Sequence, residues 1–130
     1  MPPKTMAPEV PPLVLEPSDR APAAARRFVA DRYHEWDKDD FTARLVVTEL
    51  VTNAWQHGAG VIVVRVLRDG DAPSVVIEVW DQGTGRPIVQ DEDAESTRGR
   101  GLLLMSELAL EWGTRPIAEG GKIVWARCPL

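Results

Sequence analysis

Glu49, Asn53 and His57 recur every four residues in the stretch ELVTNAWQHG, which ends at Gly58. At about 100° per residue they share one side of a helix, each about 40° beyond the last. The Glu49 carboxylate and the Asn53 amide oxygen can face a hydrated magnesium ion, which prefers oxygen ligands and keeps several waters. The pattern equally fits an amphipathic helix with a solvated face: Thr48, Thr52 and Gln56 lie on the same broad side, and Leu50, Val51, Ala54 and Trp55 lie opposite. Phe41, Leu45 and Val46 argue for the first reading, because they fall on the polar side one or two turns earlier. A face that is apolar at one end and polar at the other suits a cleft wall.

Two glycine clusters follow. Asp81-Gln82-Gly83-Thr84-Gly85 comes directly after a β-branched run ending at Trp80. It sets a carboxylate at a strand end, with two glycines that allow positive φ and close approach of a ligand to the backbone. Arg98-Gly99-Arg100-Gly101-Leu102 opens a helical pattern. Free N–H groups at a helix start bind phosphate, and the two arginines add charge and donors. Taken singly, each cluster also reads as a plain turn or helix entry. Neither is a P-loop, since no Gly-x-x-x-x-Gly-Lys-Ser/Thr occurs, and the order of elements is wrong for a dinucleotide fold.

The elements that must position these residues are legible in outline. Residues 1–12 are Pro-rich and aperiodic and read as a mobile tail, leaving 13–130 as one domain. A short strand covers 13–16. Ser18 or Asp19 is the expected N-cap of a helix over 21–36. An aspartate of 37–40 caps a second helix over 41–57, which Gly58 and Gly60 end. Strands are expected at 61–68 and 74–80, joined by a turn containing Asp69-Gly70. A long loop over 81–98 follows, then a helix from near Gly101 to about Trp112. Strands at 113–117 and 122–128 flank Gly120-Gly121. This order predicts an α+β, two-layer sandwich. A mainly antiparallel sheet of about five strands carries three helices on one face, leaving the other face free for solvent or a partner. The five tryptophans are expected in the core. Trp80, next to Asp81, is also a candidate to line a site at that strand end.

Composition bounds the rest. The 130 residues suit one domain, and 44% hydrophobic content can build a core. A formal charge of −5 argues against nucleic acid as the main partner. One cysteine and two histidines exclude a disulfide framework and a Cys-based zinc site. There is no apolar run of membrane-spanning length and no signal-peptide core, so a cytoplasmic protein with no membrane contact is expected.

Together, Glu49-x-x-x-Asn53 with His57, Asp81-Gln-Gly83-Thr-Gly85 and Gly99-Arg-Gly101-Leu102 resemble the N-box and two glycine boxes of the GHKL superfamily. The order of the boxes matches, and so does the setting of each: helix, strand end, helix start. With no phosphoacceptor helix pair ahead of the domain, a complete histidine kinase is not expected. The short 86–98 loop and the closing GGKIVW look most like the anti-sigma-factor serine/threonine kinases. The resemblance implies ATP and Mg²⁺ as ligands. It implies that Asn53 ligates Mg²⁺ bridging the phosphates and that Glu49 is the general base. Asp81 would accept from the adenine amino group, Gly83 and Gly85 would pass the loop over the base, and Gly99, Gly101 and Leu102 would hold the phosphates. His57 would support the ribose or phosphate side. Arg98 and Arg100 join the ATP-binding set on charge and position alone. The implied partners are a sigma factor or an anti-anti-sigma-type antagonist protein, without direct nucleic-acid binding. Homodimerisation stays open, as does a non-catalytic, ATP-gated binding switch. Two departures stand out: Ile123 falls where many members carry a threonine that helps bind adenine through water, and residues 89–97 carry four carboxylates.

Overall fold

The computed structural model describes residues 7–8, 11–68, 73–83 and 105–130. Helix α1 (Ala21–Glu35) and helix α2 (Phe41–His57) pack on one face of a sheet. The strands are β1 (Ala7–Pro8), β2 (Leu13–Leu15), β3 (Ile62–Arg68), β4 (Ser74–Asp81), β5 (Glu111–Pro116) and β6 (Lys122–Pro129). Their order is β1-β3-β4-β6-β5, with β2 also paired to β3, and every described pairing is antiparallel. This is the two-layer α+β arrangement the element order predicts. Ala7 and Pro8 pair with Arg68 and Leu67 along the edge of β3. The remainder of the Pro-rich stretch up to Val10, the Asp69-Gly70 turn and most of the long loop lie outside the described residues.

Alternation along β4 divides the two faces. Val75, Ile77 and Val79 join Val46, Val47, Leu50 and Val51 of α2 in the main core, together with Val124, Ala126 and Cys128 of β6. Burial pushes the Cys128 thiol up to about 12, as for a small apolar filler that stays protonated. Tyr33 of α1 is also fully buried in this core, its hydroxyl donating to the Pro129 carbonyl at 3.3 Å. The opposite face is not bare. Leu67, Val76, Ile123 and Trp125 form a second buried cluster there, with Trp80 and Ile117 packed against it.

Local details refine the expected caps. Ser18 Oγ accepts from the Arg20 N–H at 3.1 Å, but the residue at the cap position is Arg20 and no side chain caps the helix there. At α2, Asp39 Oδ1 accepts from the Phe41 N–H at 3.2 Å. Asp40, at the cap position, instead turns its carboxylate to Arg44 and His34. The helix expected to reach Trp112 ends sooner. Residues 105–108 are helical, and Trp112 lies in β5 opposite Ala126. The Leu110 N–H already donates to the Arg127 carbonyl at 2.8 Å, so ladder pairing with β6 overrides the helical pattern. No helix among the described residues is long and apolar enough to cross a membrane.

Candidate functional site

The polar stripe of α2 holds its predicted place. Glu49, Thr52, Asn53, Gln56 and His57 line one shallow pocket, while Leu50, Val51 and Ala54 are buried on the other side of the helix. Of the apolar residues expected on the stripe's side, Val46 instead packs into the main core, while Leu45 is half-buried and Phe41 exposed. Burial raises the Glu49 carboxyl above its ordinary range. Glu49 and Asn53 make no ion pair or hydrogen bond with any described side chain. One carboxylate and one amide oxygen, a turn apart and unengaged, can receive a ligand.

Helix α2 ends where β4 ends. The Gly58 N–H closes the helix on the Ala54 carbonyl at 2.9 Å, and the Gln82 N–H donates to the Ala59 carbonyl at 2.8 Å. These bonds tie the helix exit to the residue after Asp81. The contact tolerates no side chain at Gly58, because a Cβ there would stand 2.5 Å from both the Ala54 oxygen and Asp81 Oδ1. A Cβ on Gly83 would likewise stand 2.9 Å from Asp81 Oδ1. Gly121 has φ +86°, and a Cβ on it would overlap the Asp81 carbonyl oxygen. Glycines therefore collar Asp81, and Gly58 is five residues, about 7–8 Å of helix rise, from Asn53.

Asp81 is 1% exposed and has three donor contacts. Oδ1 accepts from the Gly83 N–H at 2.7 Å and from Lys122 Nζ at 3.1 Å, and Oδ2 accepts from Lys122 Nζ at 3.1 Å. Asp81 and Lys122 are directly opposite in the β4–β6 register, and both point toward the helical layer. A carboxylate can take about four hydrogen bonds, so Oδ2 keeps capacity for a further donor. Asp81 and Gly83 do not line the α2 pocket; they lie against Gly58, the residue that follows His57 of its lining. Gly85, Arg98, Gly99, Arg100, Gly101 and Leu102 lie outside the described residues.

Three positions of the site carry no signal of it in the sequence. By sequence, Gly58 is a helix stop. Gly121 is part of a turn. Lys122, not Ile123, is the closing-strand residue beside Asp81. Ile123 lies on the opposite face with Trp80, Val63, Arg65, Glu78 and Ile117, so Trp80 does not border the Asp81 side either. Strand period is two, and a one-residue slip turns every side chain to the other face. In KIVWARC both alternating sets contain apolar residues, so only the pairing with Asp81 decides the face.

The donor set suits a nucleotide and a hard cation. Among the described residues no group of three or more His, Cys, Asp or Glu could hold a metal by itself. A magnesium ion here would take Asn53 and complete its shell with waters and phosphate oxygens.

A family model described as histidine kinase-like ATPase domain matches residues 15–128, nearly the whole length, and the chain belongs to that family. Among solved structures it resembles the RsbU and RsbW domains of Rv1364c from Mycobacterium tuberculosis, with TM-score 0.68 and 24% identity, over 93% of this chain. It spans about a third (32%) of that longer chain, and the likeness is one of fold. No curated protein matches it.

Proposed function

We propose that the chain binds Mg-ATP and transfers the γ-phosphoryl group to a serine or threonine of a small regulatory antagonist protein, acting as an anti-sigma-factor-type kinase in the cytoplasm. One observation carries the reading: the helix that bears an unengaged carboxylate and amide ends at Gly58, packed against a buried strand-end carboxylate with spare acceptor capacity. Membership of the family and the likeness to a chain with an RsbW domain support it.

Asp81 would receive the base, and Gly83 and Gly85, without side chains, would let the backbone approach it. Asn53 would hold the magnesium ion, which neutralises phosphate charge, and His57 would flank the ribose or phosphates. Arg98, Gly99, Arg100, Gly101 and Leu102 would hold the phosphate tail. Glu49 would accept the proton of the partner's hydroxyl as that oxygen bonds to phosphorus and ADP leaves with the electron pair of the broken bond. A carboxyl whose affinity for protons is raised by burial is a better base than a solvated one. Phosphoryl transfer needs chiefly positioning and charge neutralisation, which these groups would provide.

The test is label transfer from γ-labelled ATP to a cognate antagonist. Wild type transfers, and Glu49→Ala keeps ATP binding while transfer falls by about 10²-fold or more. ATP binding by wild type without transfer to any antagonist or sigma partner would replace the kinase with an ATP-gated switch.

A further inference from the structure

The Asp81–Lys122 pair lies where the ATP reading puts the adenine edge, and the inference rests on that reading. Two features are unusual for a simple base acceptor. The ammonium lies 3.1 Å from both carboxylate oxygens, and the pair is almost enclosed, with side-chain exposures of 1% and 7%. Lysine has three N–H donors and no acceptor. Two hydrogen bonds reach Asp81, which leaves the ammonium one further N–H and Oδ2 spare acceptor capacity. The pair therefore presents an acceptor and a donor side by side.

Adenine carries the complementary pair. Its 6-amino group donates, and ring nitrogens N1 and N7 on either side accept. The edge farthest from the ribose carries N1 beside the 6-amino group, so a base that meets Asp81 with its amine brings N1 or N7 toward the neighbouring ammonium. We propose that Lys122 is a base-reading residue: its ammonium donates to purine N1 while Asp81 Oδ2 accepts from the 6-amino group. The ion pair is thus part of the recognition surface rather than a clasp that the base must open. An ammonium donor makes a charge-assisted bond, stronger than one from a neutral group. The chemistry selects a base with an exocyclic amine next to a ring acceptor.

The experiment compares ATP, 1-deaza-ATP and 7-deaza-ATP by calorimetric titration of the full chain with magnesium. Wild type binds 1-deaza-ATP about tenfold or more weaker than ATP, and 7-deaza-ATP about as well as ATP. Lys122→Met binds ATP and 1-deaza-ATP alike. Equal binding of ATP and 1-deaza-ATP by wild type overturns the proposal, as does discrimination that persists in Lys122→Met. Tighter ATP binding by Lys122→Met also overturns it, because Lys122 would then be an obstructing clasp. A variant with an uncompensated buried carboxylate can fail to fold, so a second readout uses wild type alone. The Lys122 ¹⁵Nζ resonance shifts on saturation with ATP and shifts less with 1-deaza-ATP; identical responses to the two ligands overturn the proposal. Failure of wild type to bind ATP at all is a separate outcome, and it overturns the ATP reading together with the inference.

Discussion

Strand β4 buries two acids three residues apart on opposite faces of the sheet, and they are built differently. Asp81 meets one lysine, one backbone N–H and a collar of glycines. Glu78, with 4% side-chain exposure, lies between Arg65 at 3.5 Å and Arg115 at 3.2 Å, among Val63, Trp80, Ile117 and Ile123. Side chains wall in Glu78. Apart from the Lys122 side chain, glycine backbone flanks Asp81. A buried carboxylate that only stabilises a sheet gains from large neighbours that exclude water. One that must meet a ligand needs space at short range, and glycine is the residue that leaves it. The same physical feature, a buried acid paired with a cation, thus reads as structure on one face and as a candidate site on the other.

Removing the two charges separately sharpens that contrast most. Asp81→Asn leaves Lys122 buried without its counter-charge, and breaking such a pair costs about 3–5 kcal/mol. It also lowers ATP affinity by about 10- to 100-fold, since a bond to a charged acceptor is lost. Glu78→Gln costs less, about 1–3 kcal/mol, because Arg65 and Arg115 reach solvent. It leaves ATP affinity unchanged. Thermal melts and calorimetry on both variants check this. Equal losses of affinity would erase the distinction between the faces.

The glycines give the next test. Gly58→Ala forces a methyl group against Asp81 Oδ1 and the Ala54 oxygen, at 2.5 Å each. Overpacking of this kind costs about 1–3 kcal/mol, and displacement of Asp81 weakens ATP binding several-fold. Gly113→Ala is the matched change on the other face, where the methyl group would meet Trp125 at 3.0 Å. It lowers the melting temperature and leaves ATP binding intact. An effect on binding from Gly113→Ala, or none from Gly58→Ala, would show that the collar does not tune the site.

This comparison also explains what was legible in the sequence. Helix α2 was, because its apolar and polar residues separate at the helical period and Gly58 ends it. Strands β3 and β4 were, because β-branched residues crowd them. The position of Asp81 at a strand end followed from the turn residues after it. The faces of β4 and β6 were not legible. Val76, Ile77, Glu78 and Val79 are all buried, so alternation gives no contrast between an inner and an outer set. That hid both the second cluster and the place of Lys122. The end of the third helix was misjudged for a related reason: MSELALEW has helical spacing, yet its last residues pair with β6. Gly58 looked like a helix stop because the contact that requires it comes from a residue 23 positions away.

Glu49 is a third acid, and it tests whether pairing is what separates these carboxylates. It is half-buried, with no cation beside it among the described residues, and burial alone raises its affinity for protons. The folded state then holds the proton more tightly than the unfolded chain does. Stability from this group is present at low pH and is lost as pH rises from the ordinary glutamate value of 4.5 through the raised folded value. Above that window the charged carboxylate slightly destabilises the fold. Glu49→Gln is therefore expected to melt at or a little above the wild-type temperature at pH 8, and the difference closes near pH 4, where both side chains are neutral. The proposed phosphoryl transfer would move the opposite way. It would need the ionised form, so the wild-type rate would drop as pH falls, in a range above that of a solvated glutamate, and the glutamine variant would be slow throughout. If Glu49→Gln melts well below wild type at pH 8, a cation stabilises the Glu49 charge, and Glu49 belongs with Glu78 among the structural acids.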